Sequence, residues 1–148
     1  MNREKINGIP LPDALLSVIE QGRWAAPADH ELLERVFSDK PDDPSFYPLD
    51  HMRLENRLWL EAEARKPTYT GTPDASTPPG DIDLTKAVLI GDLGYDMPFA
   101  LDYRPERPRV VYYNFDLRRW TTVAPTIEDL LTRLGLISEE AGRRPTER

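Results

Sequence analysis

Four short apolar runs crowd into residues 86–134, and the connections between them are what most limits how this chain can fold. Ala87 to Ile90 is continuously apolar, as in a strand covered on both sides, and Phe99, Leu101 and Tyr103 alternate with Ala100 and Asp102. Val110 to Tyr113 and Trp120 to Val123 supply two further runs rich in β-branched and aromatic residues. The connections at residues 91–97, 104–108 and 114–118 are shorter than the roughly dozen residues that a parallel crossover needs. The strands are therefore expected to be mostly antiparallel neighbours in a sheet of about four or more strands. Pro125 stops the last run. Thr126, with Asp129 three residues on, opens a helix whose stripe is Ile127, Leu130, Leu131 and Leu134, ended by Gly135.

The first half of the chain reads as helical. Pro12 and Asp13 start a helix with Leu15, Leu16, Val18 and Ile19 on one stripe, which stops at Gly22. Asp29 is placed to cap a second helix running to Phe37, with Leu32, Leu33, Val36 and Phe37 at the spacing of one buried face. Residues 40–48 hold three prolines and read as a loop anchored by Phe46 and Tyr47. A third helix is expected over residues 50–65, with Met52, Glu55 and Trp59 close to one line and Leu58 and Leu60 widening the apolar side. The fold class that follows is α+β, a sheet packed against N-terminal and C-terminal helices.

The length of 148 residues suits one domain spanning 1–148 with a single core. Residues 66–80, dominated by Pro, Thr, Gly, Ser and Asp, read as a mobile loop within it, and residues 138–148 as a frayed tail. With no cysteine, disulfides and thiolate metal sites are excluded. The N-terminus lacks the apolar stretch of a signal peptide, and no run reaches the ~20 apolar residues of a membrane span, so no membrane association and a cytoplasmic location are expected. The net charge of −7 gathers in the front two-thirds, because residues 104–148 carry nine basic against seven acidic side chains. An acidic front argues against nucleic acid as a ligand and favours encounter with a basic partner.

Catalytic chemistry finds little support in the residues. His30 and His51 are the only histidines, and His51 with Glu55 has a helical i, i+4 spacing that suits two metal ligands, but no established zinc pattern surrounds them. Asp92, Gly94 and Asp96 place oxygens at alternate positions, without the further acidic positions and terminal glutamate of an EF-hand. Gly91 and Gly94 precede another strand instead of a helix, so they read as backbone-permissive positions and not as a phosphate cradle. None of Ser17, Ser38, Ser45, Ser76 and Ser138 lies in a glycine-flanked nucleophile elbow. No catalytic residue, metal site or cofactor is assigned. Tyr112 and Tyr113 point to opposite faces of their strand, which leaves one aromatic for a surface.

Taken in order, Ile90-Gly91-Asp92-Leu93-Gly94, Phe99 to Arg104, Pro108 to Tyr112, Trp120 to Ala124 and Thr126 to Leu131 resemble the SUKH superfamily, which includes fungal cell-wall synthesis regulators and many bacterial immunity proteins. The sequence departs from many members in carrying Gln21-Gly22-Arg23-Trp24 where they have a paired-glycine turn, and in the proline- and threonine-rich stretch at 66–80. The resemblance implies a protein-binding module without enzymatic activity, in which Gly91, Gly94, Trp120 and Thr126 are framework. It further implies a bacterial immunity protein that neutralises a cognate toxin by direct binding. The loop carboxylates Asp39, Asp42, Asp43, Asp92 and Asp96, expected to be exposed, are the candidate partner contacts. The alternatives are a regulatory scaffold for another protein and a small metal-dependent hydrolase built on His30, His51 and Glu55.

Overall fold

A computed structural model describes residues 4–66 and 69–138. Two short strands, β1 (Lys5–Ile6) and β2 (Ile9–Pro10), form a hairpin ahead of helices α1 (Asp13–Glu20) and α2 (His30–Phe37). Asp29 caps α2 by accepting from the backbone N–H groups of Glu31 and Leu32, as its position implies. Strand β3 (Ser45–Phe46) then leads into the long helix α3 (Leu49–Arg65). After β4 (Pro79–Gly80) come the four strands of the meander: β5 (Ala87–Asp92), β6 (Pro98–Asp102), β7 (Arg109–Asn114) and β8 (Arg119–Ala124). Helix α4 (Ile127–Arg133) closes the fold, and Thr126 Oγ1 caps it by accepting from Asp129 N–H at 3.2 Å.

The six-stranded sheet runs β3-β5-β6-β7-β8-β4, antiparallel at every pairing, and the architecture is α+β. Its centre follows from the hairpin lengths. Its two edges do not, because β3 and β4 are two residues each and too short to carry an alternating pattern. Pro79 in β4 is confined to an edge because its ring nitrogen cannot donate to a ladder. The stretch expected to be a loop at 66–80 thus ends in an edge strand, and Asp74 within it accepts from the N–H groups of Ser76 and Thr77. Residues 139–148, most of the predicted tail, lie outside the described residues.

Both faces of the sheet are covered. On one, Phe99 and Tyr112 pair across β6 and β7, and Phe37 from α2 sits 4.9 Å from Phe99 and 5.7 Å from Tyr112, ring centre to ring centre. Trp24 and Phe46 complete that aromatic layer, each touching the other and Phe99. On the other, Tyr113 pairs with Trp120, and Trp59 of α3 packs 6.2 Å from Trp120. The expectation that one of Tyr112 and Tyr113 faces solvent is corrected by this arrangement: they are 0% and 3% exposed. Ala100 and Asp102 are as buried as Phe99 and Leu101, so alternation along β6 separates two buried faces instead of an inside and an outside.

Helix α3 is the element that departs most from its predicted face. Met52, Asn56, Trp59 and Glu63 are its buried positions, whereas Leu58 is exposed. Asn56 is buried because it takes over the work of a strand: its side-chain oxygen accepts from Leu89 N–H at 2.7 Å and its amide donates to Leu89 C=O at 2.9 Å. Edge strand β3 pairs only with Gly91 and Asp92, past an irregularity in the β5 ladder between Leu89 and Gly91. Without Asn56, the Leu89 backbone groups would lose these partners in a dry interior, which is costly. Asn56 also donates to Met52 C=O at 2.7 Å, so one side chain joins helix and sheet.

Candidate functional site

The close approach of three segments opens a groove of about 820 Å³ beside α3. One wall is α3 itself, with Glu55, Leu58 and Trp59 on the lining. A second is the stretch at 42–47, and the third is the turn between β5 and β6 at 93–97. The last two are fastened together by backbone, since Asp42 N–H donates to Leu93 C=O at 2.6 Å. Gly94 makes that approach feasible: at φ +146° a Cβ on it would lie 2.3 Å from Asp42 C=O, so only glycine fits. Gly91 is constrained in a different way, because a Cβ there would lie 2.6 Å from the Phe99 ring. Both glycines act as framework.

Of the five aspartates expected to contact a partner, Asp42, Asp43, Asp92 and Asp96 line this one groove, and Glu55 joins them. Asp39 is not among the lining residues; it accepts a 2.5 Å hydrogen bond from the Tyr112 hydroxyl. The exposure expected of the set is met by Asp42 and Asp43 and corrected for Asp39, Asp92 and Asp96, which are half-buried. Asp92 ends strand β5 and so is not a loop residue. It accepts from the Tyr47 hydroxyl at 2.6 Å, and Asp96 accepts from the Tyr69 hydroxyl.

The electrostatics of the groove are one-sided. Among the described residues, no lysine or arginine lines it. Other carboxylates of the molecule are matched with arginine: Asp74 with Arg119, Asp81 and Asp102 with Arg104, Asp102 also with Arg109, and Glu128 with Arg107. Asp92 and Asp96 instead receive neutral tyrosine hydroxyls, which satisfy lone pairs but bring no charge of their own. Burial pushes the Asp92 carboxyl above its usual range, against the opposing pull of the Tyr47 hydroxyl and the Gly94 backbone N–H. Burial, and then the hydrogen bond to Asp92, raises the Tyr47 phenol in turn. Tyr95, on the turn at 93–97, is the most exposed large hydrophobic side chain among the described residues, at 91%.

The metal reading assembles no further than one pair. His51 Nε2 lies 3.5 Å from Glu55 on α3, and His30 opens α2. Among the described residues, no group of three or more His, Asp or Glu side chains is placed to hold a metal ion. Sequence reading missed Tyr95 and the groove position of Trp59, because a lone tyrosine in a turn and an aromatic on a helical stripe carry no signal of their own. Among the described residues no helix is long and apolar enough to cross a membrane.

Searches of the curated proteins and of the solved structures find no significant match to the chain. A family model does match, over residues 3–133, a span that takes in both N-terminal helices, α3, the whole sheet and α4. The chain belongs to the SMI1 / KNR4 family (SUKH-1).

Proposed function

We propose that this chain is a bacterial immunity protein, a non-enzymatic module that neutralises a toxin domain by binding it directly through the groove beside α3. A protein-binding or immunity role fits the family as a whole. The observation that carries the reading is the gathering of Asp42, Asp43, Glu55, Asp92 and Asp96 around one opening that, among the described residues, no lysine or arginine lines. Carboxylates so placed attract a cationic surface from a distance and pair with it on contact, which sets partner choice and association rate. Tyr95 supplies the rigid amphipathic side chain that often anchors such a contact.

The cognate toxin domain then presents a basic cleft, and the module blocks it by occupying it, in the cytoplasm where both are made. The test is co-purification of the full chain with the product of the adjacent gene, together with rescue of growth when that product is expressed. Changing Asp42, Asp43, Asp92 and Asp96 to asparagine is expected to abolish both co-purification and rescue while the circular dichroism spectrum is unchanged. Rescue that persists in this variant contradicts the groove as the binding face.

A further inference from the structure

The one Asn-Gly pair in the chain, Asn7-Gly8, forms the turn of the N-terminal hairpin. Ile6 pairs with Ile9, so the loop is two residues long, and both carry positive φ, +53° at Asn7 and +82° at Gly8, as so tight a hairpin turn requires. The same chemistry makes the turn reactive. Gly8 has no Cβ to screen its backbone nitrogen from Asn7 Cγ, and nothing lies within 4 Å of where a Cβ would sit. Both residues are exposed, so water reaches them. The hairpin is anchored away from its turn: Arg53 pairs with Glu4, Leu11 N–H donates to Glu4 C=O at 3.0 Å, and the Tyr103 hydroxyl donates to Pro10 C=O at 2.8 Å. The turn itself has a looser hold, the Asn7 amide donating to Asn56 C=O on α3 at 3.4 Å, at the long limit of a hydrogen bond. Strands β1 and β2 are two residues each, so the turn can open at low cost while the anchors stay in place.

We propose that Asn7 is a site of spontaneous deamidation, and that its product releases the hairpin turn from α3. The Gly8 nitrogen, giving its proton to hydroxide, attacks Asn7 Cγ. A C–N bond forms and closes a cyclic succinimide, the bond from Cγ to Nδ2 breaks, and ammonia leaves with a proton taken from water. A second water then opens the ring at either carbonyl and leaves an aspartyl or an isoaspartyl residue, with no change of oxidation state. Either product replaces the donor that faced Asn56 C=O with a carboxylate, and two acceptors repel. The isoaspartyl form also lengthens the backbone of a loop whose length sets the strand register. The change falls on the residue whose side chain joins α3 to Leu89. The other asparagines are internal controls, because Asn2, Asn56 and Asn114 precede Arg3, Arg57 and Phe115, whose side chains screen the following nitrogen. The site is independent of whatever fills the groove.

The experiment ages the full, folded chain in mildly alkaline buffer and maps it at intervals by digestion and mass spectrometry. The peptide holding Asn7 is expected to gain about 1 Da and to split into two isomers on reversed-phase separation. Its rate of conversion should exceed those at Asn56 and Asn114 by about tenfold or more. The aged chain carries one more negative charge, so ion exchange separates it from the unreacted chain for a second measurement. Amide hydrogen exchange at Ile6 and Ile9, which flank the turn, should be about tenfold faster in the aged chain and in Asn7→Asp, with the Leu89 amide unchanged as a reference for the core. Conversion at Asn7 no faster than at Asn56 or Asn114 overturns the site. Conversion that leaves exchange at Ile6 and Ile9 unaltered overturns the release of the turn.

Discussion

Asp92 and Asp102 end β5 and β6 of one sheet, both partly or wholly withdrawn from water, and their surroundings send them in opposite directions. Burial would raise the Asp102 carboxyl, but hydrogen bonds from the Arg104 and Arg109 side chains and the Arg104 backbone outweigh it and hold it below the usual range. Among the described residues no arginine pairs with Asp92, so burial, with the Glu55 charge behind it, outweighs the Tyr47 and Gly94 hydrogen bonds and the weaker pull of His51, and its carboxyl is raised. A raised carboxyl binds its proton more tightly folded than unfolded; ionised Asp92 therefore costs stability at neutral pH, and the cost is relieved as pH falls through the raised value. Asp92→Asn should melt higher than the wild-type chain at pH 7 in thermal scans, with the gap narrowing as pH falls through the raised value. Stability gained together with partner affinity lost is the signature of a residue kept for binding.

Asp74 behaves oppositely. The Arg119 side chain, then the Thr77 and Ser76 backbone N–H groups, draw its carboxyl down from 3.8 to about 2. That contribution is present above the ordinary carboxylate value and is lost as pH falls through about 2. In Arg119→Gln, an NMR titration of the Asp74 carboxyl carbon should find a midpoint moved back towards 3.8. Such partnerships were unequally legible in the chain: Arg104 lies two residues from Asp102, whereas Tyr47 meets Asp92 across 45 positions and Arg119 meets Asp74 across the same span.

At the scale of elements, the helices and the four-stranded meander could be read because each repeats a period long enough to count. Caps at Asp29 and Thr126 and the stop at Gly135, with φ +73°, lie where the residue types demand them. What escaped reading has physical causes. Edge strands β3 and β4 have no period, and Asn56 is polar on a face where apolar residues are expected. Asn56→Ala should cost about 3 kcal/mol in urea denaturation, since it strips partners from two backbone groups of Leu89 in a dry interior. Glu61→Ala, on the exposed side of the same helix, should stay within about 0.5 kcal/mol. Gly94→Ala should destabilise by roughly 1–3 kcal/mol and weaken partner binding, because its Cβ forces the 93–97 turn away from Asp42 and opens the groove wall.

At the scale of the whole molecule, the groove draws its lining from positions 42 to 98, and no single stretch of sequence announces it. Four aspartates guessed from loop composition converge there because the β5–β6 turn and the segment before β3 share a backbone hydrogen bond. Their net effect is a focused negative field, with no lysine or arginine among the described residues of the lining. Association through such a field depends on ionic strength, so raising the salt from about 0.05 to about 0.5 M should slow partner association about tenfold or more in stopped flow, with a smaller change in dissociation. The proposed function seats a basic partner in this groove and not on another face. Isothermal titration of the adjacent gene's product against the wild-type chain and against Asp42→Asn/Asp43→Asn/Asp92→Asn/Asp96→Asn distinguishes the two. Binding weakened by about a hundredfold or more in a variant that still unfolds cooperatively is the predicted result; equal affinity for the two chains would contradict it.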